Sequence, residues 1–343
     1  MPPLADLWDP AGPYLNTASY GLPPRTGWDA LQAALADWRG GRTSWEQWGE
    51  SGERARASFA RLNGFATADV ANGSNVSQFV GIVAAALPDG STVLAPEAEF
   101  TSLLFPFLAH ADRGVRTRTA PLEQLAEAVD ADTTLVAFSP VQSADGAVAD
   151  SEAIIAAARD HGALVLLDVT QACGWLPIDH FGADFVTAAA YKWLMSPRGS
   201  AFLAVAPECL DRLPPLGANW YAGEDFRTSY YGPPLRLAAD ARRLDLSPAW
   251  FSWVGSAPAL EAIEAVGVDR VHAHNVALAN RFRAGLGLEP SNSAIVSADV
   301  PGAQERLERA GIRAAVRAGA LRASFHLYND EADVDAALDA LAA

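Results

Sequence analysis

Three short apolar runs end on polar residues: STVLAPE (91–97), TTLVAFSP (133–140) and ALVLLDVT (163–170). Alanine-rich stretches with helical spacing, PLEQLAEAVDA and DSEAIIAAARDHG, lie between them. The second opens on acidic residues and closes on a glycine, as a helix start and stop do. ADFVTAAAYK and SAFLAVAP read as two further strands. Strands that alternate with helices pair mostly in parallel, and a parallel sheet must be covered on both faces. The expected fold class is α/β, with a mostly parallel sheet in a large domain. In such sheets a ligand sits beyond the carboxyl ends of the strands. The residues that end each run are therefore the candidates for chemistry.

The pattern changes after about residue 210. LPPLGANWYAGEDFRTSYYGPPLRL is rich in Gly, Pro and aromatic residues and reads as irregular structure. A helical stretch broken at a glycine follows, PALEAIEAVGVDRVHAHNVALANRFRAGLG. SAIVSADV, GIRAAVRAG and ALRASFHLY then read as strands of a small α+β unit closed by the helix DEADVDAALDALA. This predicts a large unit over 1–255 and a smaller C-terminal one over 256–343. Half of the 343 residues are hydrophobic, enough for a well-filled core. A net charge of −16 argues against a nucleic-acid partner, whose phosphates it would repel. No apolar run is long enough to span a bilayer, and MPPLADLWDP lacks the basic start and apolar core of a signal peptide. The expectation is a cytoplasmic protein with no membrane partner. Cys173 and Cys209 make neither a disulfide framework nor a metal signature, so no metal site is expected.

Four features carry chemistry. Gly73, Ser74 and Asn75 precede a helical stretch, and a helix start offers free N–H groups and a positive dipole end to a phosphate. An ordinary N-cap would use the same residues. Asp168 ends a strand that reads as buried, where a carboxylate is costly unless a cation meets it or it caps a turn. Gln171 follows three residues later. Lys192 is the only lysine among 25 basic residues. Lysine can lose its proton and attack a carbonyl, whereas arginine stays protonated. A single surviving surface lysine is the alternative, and the apolar flanks of TAAAYKWL weigh against it. Arg322 sits inside an apolar strand, where either a ligand carboxylate or an internal acid must meet it. Phosphate anchor, strand-end acid, lysine and late arginine, in that order, are what pyridoxal phosphate requires.

With YLNTASYGLPP, GSNVSQF, PEAEFTSLLFP, SPVQSADGAV, LLDVTQACGWLPID, AAYKWLMSPRGSAFLAV and LRASFHLYNDEADVD in view, the chain resembles the class V aminotransferases. These are fold-type I pyridoxal-phosphate enzymes, and the resemblance is to the branch with cysteine desulfurases and isopenicillin N epimerase-like proteins. It covers nearly the whole chain and implies pyridoxal 5'-phosphate as cofactor, an α-amino acid as substrate and a homodimer. It also implies roles. Ser74 and Asn75 hold the phosphate, Phe100 stacks on the pyridine ring, and Ser143 and Gln171 lie near the ring hydroxyl. Asp168 pairs with the ring nitrogen, Lys192 forms the Schiff base, Arg322 binds the substrate carboxylate and Asn16 lines the substrate site. Tyr191 stands in for a phosphate contact, and Ser247 is a loose match to a segment that reaches the partner's phosphate.

The departures from the family pattern bear on the reaction. Ala189-Ala190-Tyr191 replaces the Ser and His that desulfurases place before the lysine. GIRAAVRAGALRAS contains no cysteine, although desulfurases carry their sulfur acceptor there. The expected activity is amino-acid processing, with transamination as the named reaction. A C–S lyase working without a persulfide cysteine, or an epimerase, is the alternative.

Overall fold

The computed structural model describes residues 7–43, 45–178, 180 and 182–342. The main sheet has seven strands: β1 (Val70–Gly73), β2 (Thr92–Pro96), β3 (Arg116–Ala120), β4 (Leu135–Phe138), β5 (Leu164–Asp168), β6 (Phe185–Ala189) and β7 (Ala201–Val205). Their order is β1-β7-β6-β5-β4-β2-β3. Strands β3, β2, β4, β5 and β6 pair in parallel, and β7 runs antiparallel to both its neighbours. The five runs read as strands from the sequence are β2, β4, β5, β6 and β7.

Strand residues alternate between two cores. Val136, Phe138, Val165, Leu167 and Val186 pack toward α2 (Trp45–Asn63), α5 (Ser151–Asp160) and α6 (Trp250–Val266). Leu135, Ala137, Leu166 and Phe185 pack toward α3 (Val76–Ala86) and α4 (Thr101–Leu108). The central strands read as continuous apolar runs because both of their faces are covered. Each of the buried Val, Leu and Phe side chains among them contributes about 1.5–3 kcal/mol. β3, sequence RTRTA, lies at the sheet edge, where its polar side chains stay partly exposed.

The stretch 121–131, expected to be helical, is not an α-helix: a single short turn, Leu122–Gln124, is followed by irregular turns. The Asp130 carboxylate accepts from the Asp132 N–H and the Thr133 hydroxyl and pairs with Arg118, which favours a local turn over a further helical one. The helices α1 (Arg25–Arg39) and α2, packed on α6, complete the N-terminal part.

Gly267, at φ 89°, breaks α6 from α7 (Val268–Gly285). The anticipated division at 255/256 falls within α6. The C-terminal unit holds an antiparallel sheet of β8 (Ile295–Ala298), β10 (Ala320–Ser324) and β9 (Ala315–Arg317), in that order. Helices α7, α8 (Ala303–Arg309) and α9 (Glu331–Ala342) share its core. Segment 14–21 joins the two sheets. The Leu15 N–H donates to the Arg313 carbonyl, the Ser324 N–H to the Leu15 carbonyl, and the Gly21 N–H to the Tyr191 carbonyl. No helix among the described residues is long and apolar enough to cross a membrane.

Candidate active site

Lys192 lies in the turn that leaves β6, at the carboxyl edge of the parallel strands. The turn is tight: the Met195 N–H donates to the Lys192 carbonyl, and Met195 adopts φ 51°. Gly21 presses against it from the N-terminal segment. A Cβ at position 21 would sit 2.0 Å from the Lys192 carbonyl oxygen, so the close approach requires glycine. Lys192 is 6% exposed. Burial pulls its pKa down to about 8; the Asp168 carboxylate opposes this, and Arg322, Arg198 and Arg317 add to it.

Asp168 ends β5 and is buried. It accepts a hydrogen bond of 2.9 Å from the Thr170 N–H. Burial raises its pKa to about 6 against the hydrogen bonds from Thr170, and Glu99 adds to the rise. Glu99 carries no signal in the sequence beyond its place before Phe100. Its buried carboxylate accepts from the Ser139 N–H and hydroxyl, the Gln142 side-chain amide and the Phe100 N–H, at 2.7–3.1 Å. It thereby ties the start of α4, and with it Phe100, to the end of β4.

The start of α3 is fixed from behind. Buried Arg56 pairs with buried Asp245 at 2.6 Å and donates to the Val70 carbonyl, while Asp245 accepts from the Asn72 N–H. These bonds hold β1, which leads into Ser74 and Asn75. Asn75 is the N-cap, and its side chain accepts from the Gln78 N–H and the Ser77 hydroxyl. The amides of Val76 and Ser77 have no acceptor within the helix.

Ser74, Asn75, Phe100, Asp168, Tyr191 and Lys192 line one cavity of about 390 Å³, with Ser77, Thr170 and Arg198 also in its wall. Lys192 Nζ is 5.3 Å from the centroid of the Phe100 ring, and Phe100 is 45% exposed. An open aromatic face, a buried acid, a buried amine and a helix start converge here.

Arg322, Ser143, Gln171 and Asn16 form a second group. Arg322 is 1% exposed on β10. It donates to the Ser143 carbonyl, and to the Ser19 hydroxyl at 2.8 Å. Burial lowers its pKa to about 10, and Arg317 contributes. The Gln171 amide donates to the Ala18 carbonyl and the Ser143 hydroxyl and accepts from the Trp193 indole, so it braces the residue after Lys192. Arg322 Nε and Asn16 Oδ1 are buried without a hydrogen-bond partner among the described residues. Each calls for a partner from outside the chain, a ligand or an ordered water. Ser247 is exposed and does not line the cavity. The aromatic stretch also lies elsewhere: Trp220 and Tyr221 pack with Trp45 and Trp250.

The residues fit pyridoxal phosphate. The cavity offers a ring platform, an acid for a ring nitrogen, an amine for an aldehyde and a helix start for a phosphate. The neighbouring arginine has a donor to spare for a carboxylate.

Comparison with known proteins agrees with this fit. The family model "Aminotransferase class-V" matches residues 50–306. The chain is 29% identical over 323 residues to the "Uncharacterized aminotransferase YcbU" of Bacillus subtilis, covering 88% of this chain and 86% of that one. It is 30% identical over 284 residues to the isopenicillin N epimerase of Streptomyces clavuligerus, covering 76% of this chain and 66% of that one. The fold matches the solved structure of the cystine C-S lyase C-DES in complex with its reaction product cysteine persulfide, with a TM-score of 0.86 and 22% identity over 96% of this chain and 97% of that one. The matched span and the cavity built around Lys192 lead to one assignment: this chain belongs to the class V aminotransferase family and is a pyridoxal-phosphate-dependent enzyme.

Proposed function

We propose that the chain processes an α-amino acid, with transamination as its reaction. The observation that carries this reading is the placement of Lys192 and Asp168 in one cavity, with buried Arg322 near enough to act on the Lys192 amine and with one guanidinium nitrogen uncommitted. Pyridoxal phosphate, when bound, acts as a sink for electrons released at the substrate α-carbon. The chain's own residues do the rest. Arg322 takes the substrate carboxylate and so fixes which α-bond faces Lys192. Phe100 covers the ring face, and Asp168 holds the ring nitrogen. The Lys192 amine, near neutral pKa, can take the α-proton and return it. Which carbon receives that proton separates transamination from epimerisation.

The test is an amino-acid screen in which keto acid, free ammonia, sulfide and inverted amino acid are measured separately. Transamination gives keto acid only when an acceptor keto acid is supplied, and no free ammonia. Ammonia and sulfide released together would make the enzyme a C–S lyase, and inversion without keto acid would make it an epimerase.

The thiols favour these outcomes over a persulfide mechanism. Burial pushes both Cys173 and Cys209 up to about 12, and Asp184 adds to the effect at Cys209. Reactive thiolates need exposed, electropositive surroundings. The Cys173→Ala, Cys209→Ser double variant should keep most of its turnover on the true substrate. Loss of turnover with cofactor absorbance intact, and a persulfide in the wild type by mass spectrometry, would reverse that conclusion.

The working form in this reading is a cytoplasmic homodimer, the commonest symmetric assembly. Leu216, Tyr231 and Leu235 are 65%, 90% and 73% exposed, apolar side chains that the single chain leaves uncovered. Light scattering during turnover should give twice the chain mass; an active monomer would refute the dimer.

A further inference from the structure

We propose that Arg198 is the cation that holds the cofactor phosphate in this enzyme. This inference rests on the pyridoxal-phosphate reading above and extends it to a residue not among those identified from the sequence.

The wall of the cavity near the start of α3 is poor in side-chain donors from β6. Positions 189 and 190 are alanines, and Tyr191 presents a ring and one hydroxyl. A phosphate dianion there would meet the partial positive charge of a helix start, roughly half a unit. It would also meet buried Asp168 in the same cavity, whose negative charge works against it. Lys192 is committed to the carbonyl. A full positive charge is missing from this inventory, and Arg198 lines the same cavity with Ser74, Asn75 and Ser77.

The mount of Arg198 suits the task. Its guanidinium carbon lies over the Tyr191 ring, 4.6 Å from the centroid and within cation–π range. Its backbone is pinned on both sides: the Arg198 N–H donates to the Tyr20 hydroxyl at 3.1 Å, and the Ser252 hydroxyl donates to the Arg198 carbonyl at 2.8 Å. The Tyr20 ring packs on the Tyr191 ring at 5.4 Å. Arg198 forms no ion pair among the described residues. The other two arginines near Lys192 are placed differently. Arg322 is bound to Ser143 and Ser19, and Arg317 reaches the same Ser19.

Two probes that differ only in the phosphate test this: pyridoxal 5'-phosphate and pyridoxal. Cofactor-free wild type, Arg198→Gln and Arg198→Lys are titrated with each, following the visible absorbance of the carbonyl attached to Lys192. Arg198→Gln should weaken pyridoxal 5'-phosphate binding by about ten- to a hundredfold, the usual scale for one charged hydrogen-bonding group, and leave pyridoxal binding within about threefold. Arg198→Lys, which keeps the charge, should fall between wild type and Arg198→Gln. Equal weakening of both probes would mean that Arg198 shapes the Tyr191 wall and does not hold phosphate. Unchanged pyridoxal 5'-phosphate affinity in Arg198→Gln would equally overturn the proposal. A wild type that attaches neither probe would remove the cofactor reading itself, an outcome distinct from both.

Discussion

Lys192→Arg should yield a folded protein that takes up no covalent cofactor and turns over at least about 10²–10⁴-fold more slowly, the range of a lost acid–base group alone. The substitution keeps the positive charge beside Asp168 and so isolates the chemistry from the electrostatics. What it removes is the ability to become neutral. Burial holds Lys192 at about 8, so at neutral pH a usable fraction of the amine is already unprotonated. A guanidinium stays protonated throughout this range. The same lowered pKa predicts the pH dependence of cofactor capture in the wild type. The observed rate should climb as pH rises toward about 8 and then level off, instead of climbing on toward 10.5 as for an exposed lysine. Lys192→Ala serves as a folding control, since arginine is bulkier than lysine in a buried turn. Borohydride reduction of the loaded wild type should leave the cofactor on the Lys192 peptide and on no peptide of Lys192→Arg. A loaded wild type whose Lys192 peptide carries no reduced adduct would refute the assignment, because the chain has no second lysine to carry it.

The features legible in the sequence were those that a residue declares locally. Asp168 is an acid that ends an apolar strand, and Lys192 stands out by scarcity. The start of α3 is marked by Ser74 and Asn75, and Arg322 is a charge inside an apolar run. The partners of these residues were not legible. Arg322 meets Ser143 and Ser19, which are 179 and 303 positions away in the chain. Nothing in PEAEFTS says that Glu99 will collect donors from residues 139 and 142, because those donors are gathered only by the pairing of β4 with β2. Arg198 looks like one of many surface arginines until Tyr191 and the α3 start are seen on the same cavity wall. Gly21 reads as a turn glycine, and only the approach of the Lys192 carbonyl explains it. Local pattern also misled at 121–131, where helical spacing was real but Asp130 was engaged by Arg118 from the neighbouring edge strand.

Asp168→Asn should move stability and turnover in opposite directions. Burial raises the Asp168 pKa from 3.8 to about 6. A folded-state pKa above the unfolded one means that the folded protein binds the extra proton. The associated stability is present below about pH 4 and is lost as pH rises through about 6. Above that, the ionised carboxylate burdens the cofactor-free protein by up to about 3 kcal/mol, at roughly 1.4 kcal/mol for each tenfold change in proton affinity. Asparagine has nearly the same shape, can still accept from the Thr170 N–H, and carries no charge to desolvate. The cofactor-free variant should therefore melt higher than wild type at pH 8 and no higher at pH 4. Part of the gain will be offset because buried Lys192 loses its counter-charge. Turnover should nevertheless fall by about 10²–10⁴-fold, since an amide cannot stabilise a protonated ring nitrogen as a carboxylate does. Calorimetry of the cofactor-free proteins at both pH values and steady-state kinetics of the loaded ones read the two effects separately. A variant less stable than wild type at pH 8 would mean that the ionised carboxylate is well compensated in the folded chain. Turnover within about threefold of wild type would remove Asp168 from the ring nitrogen altogether.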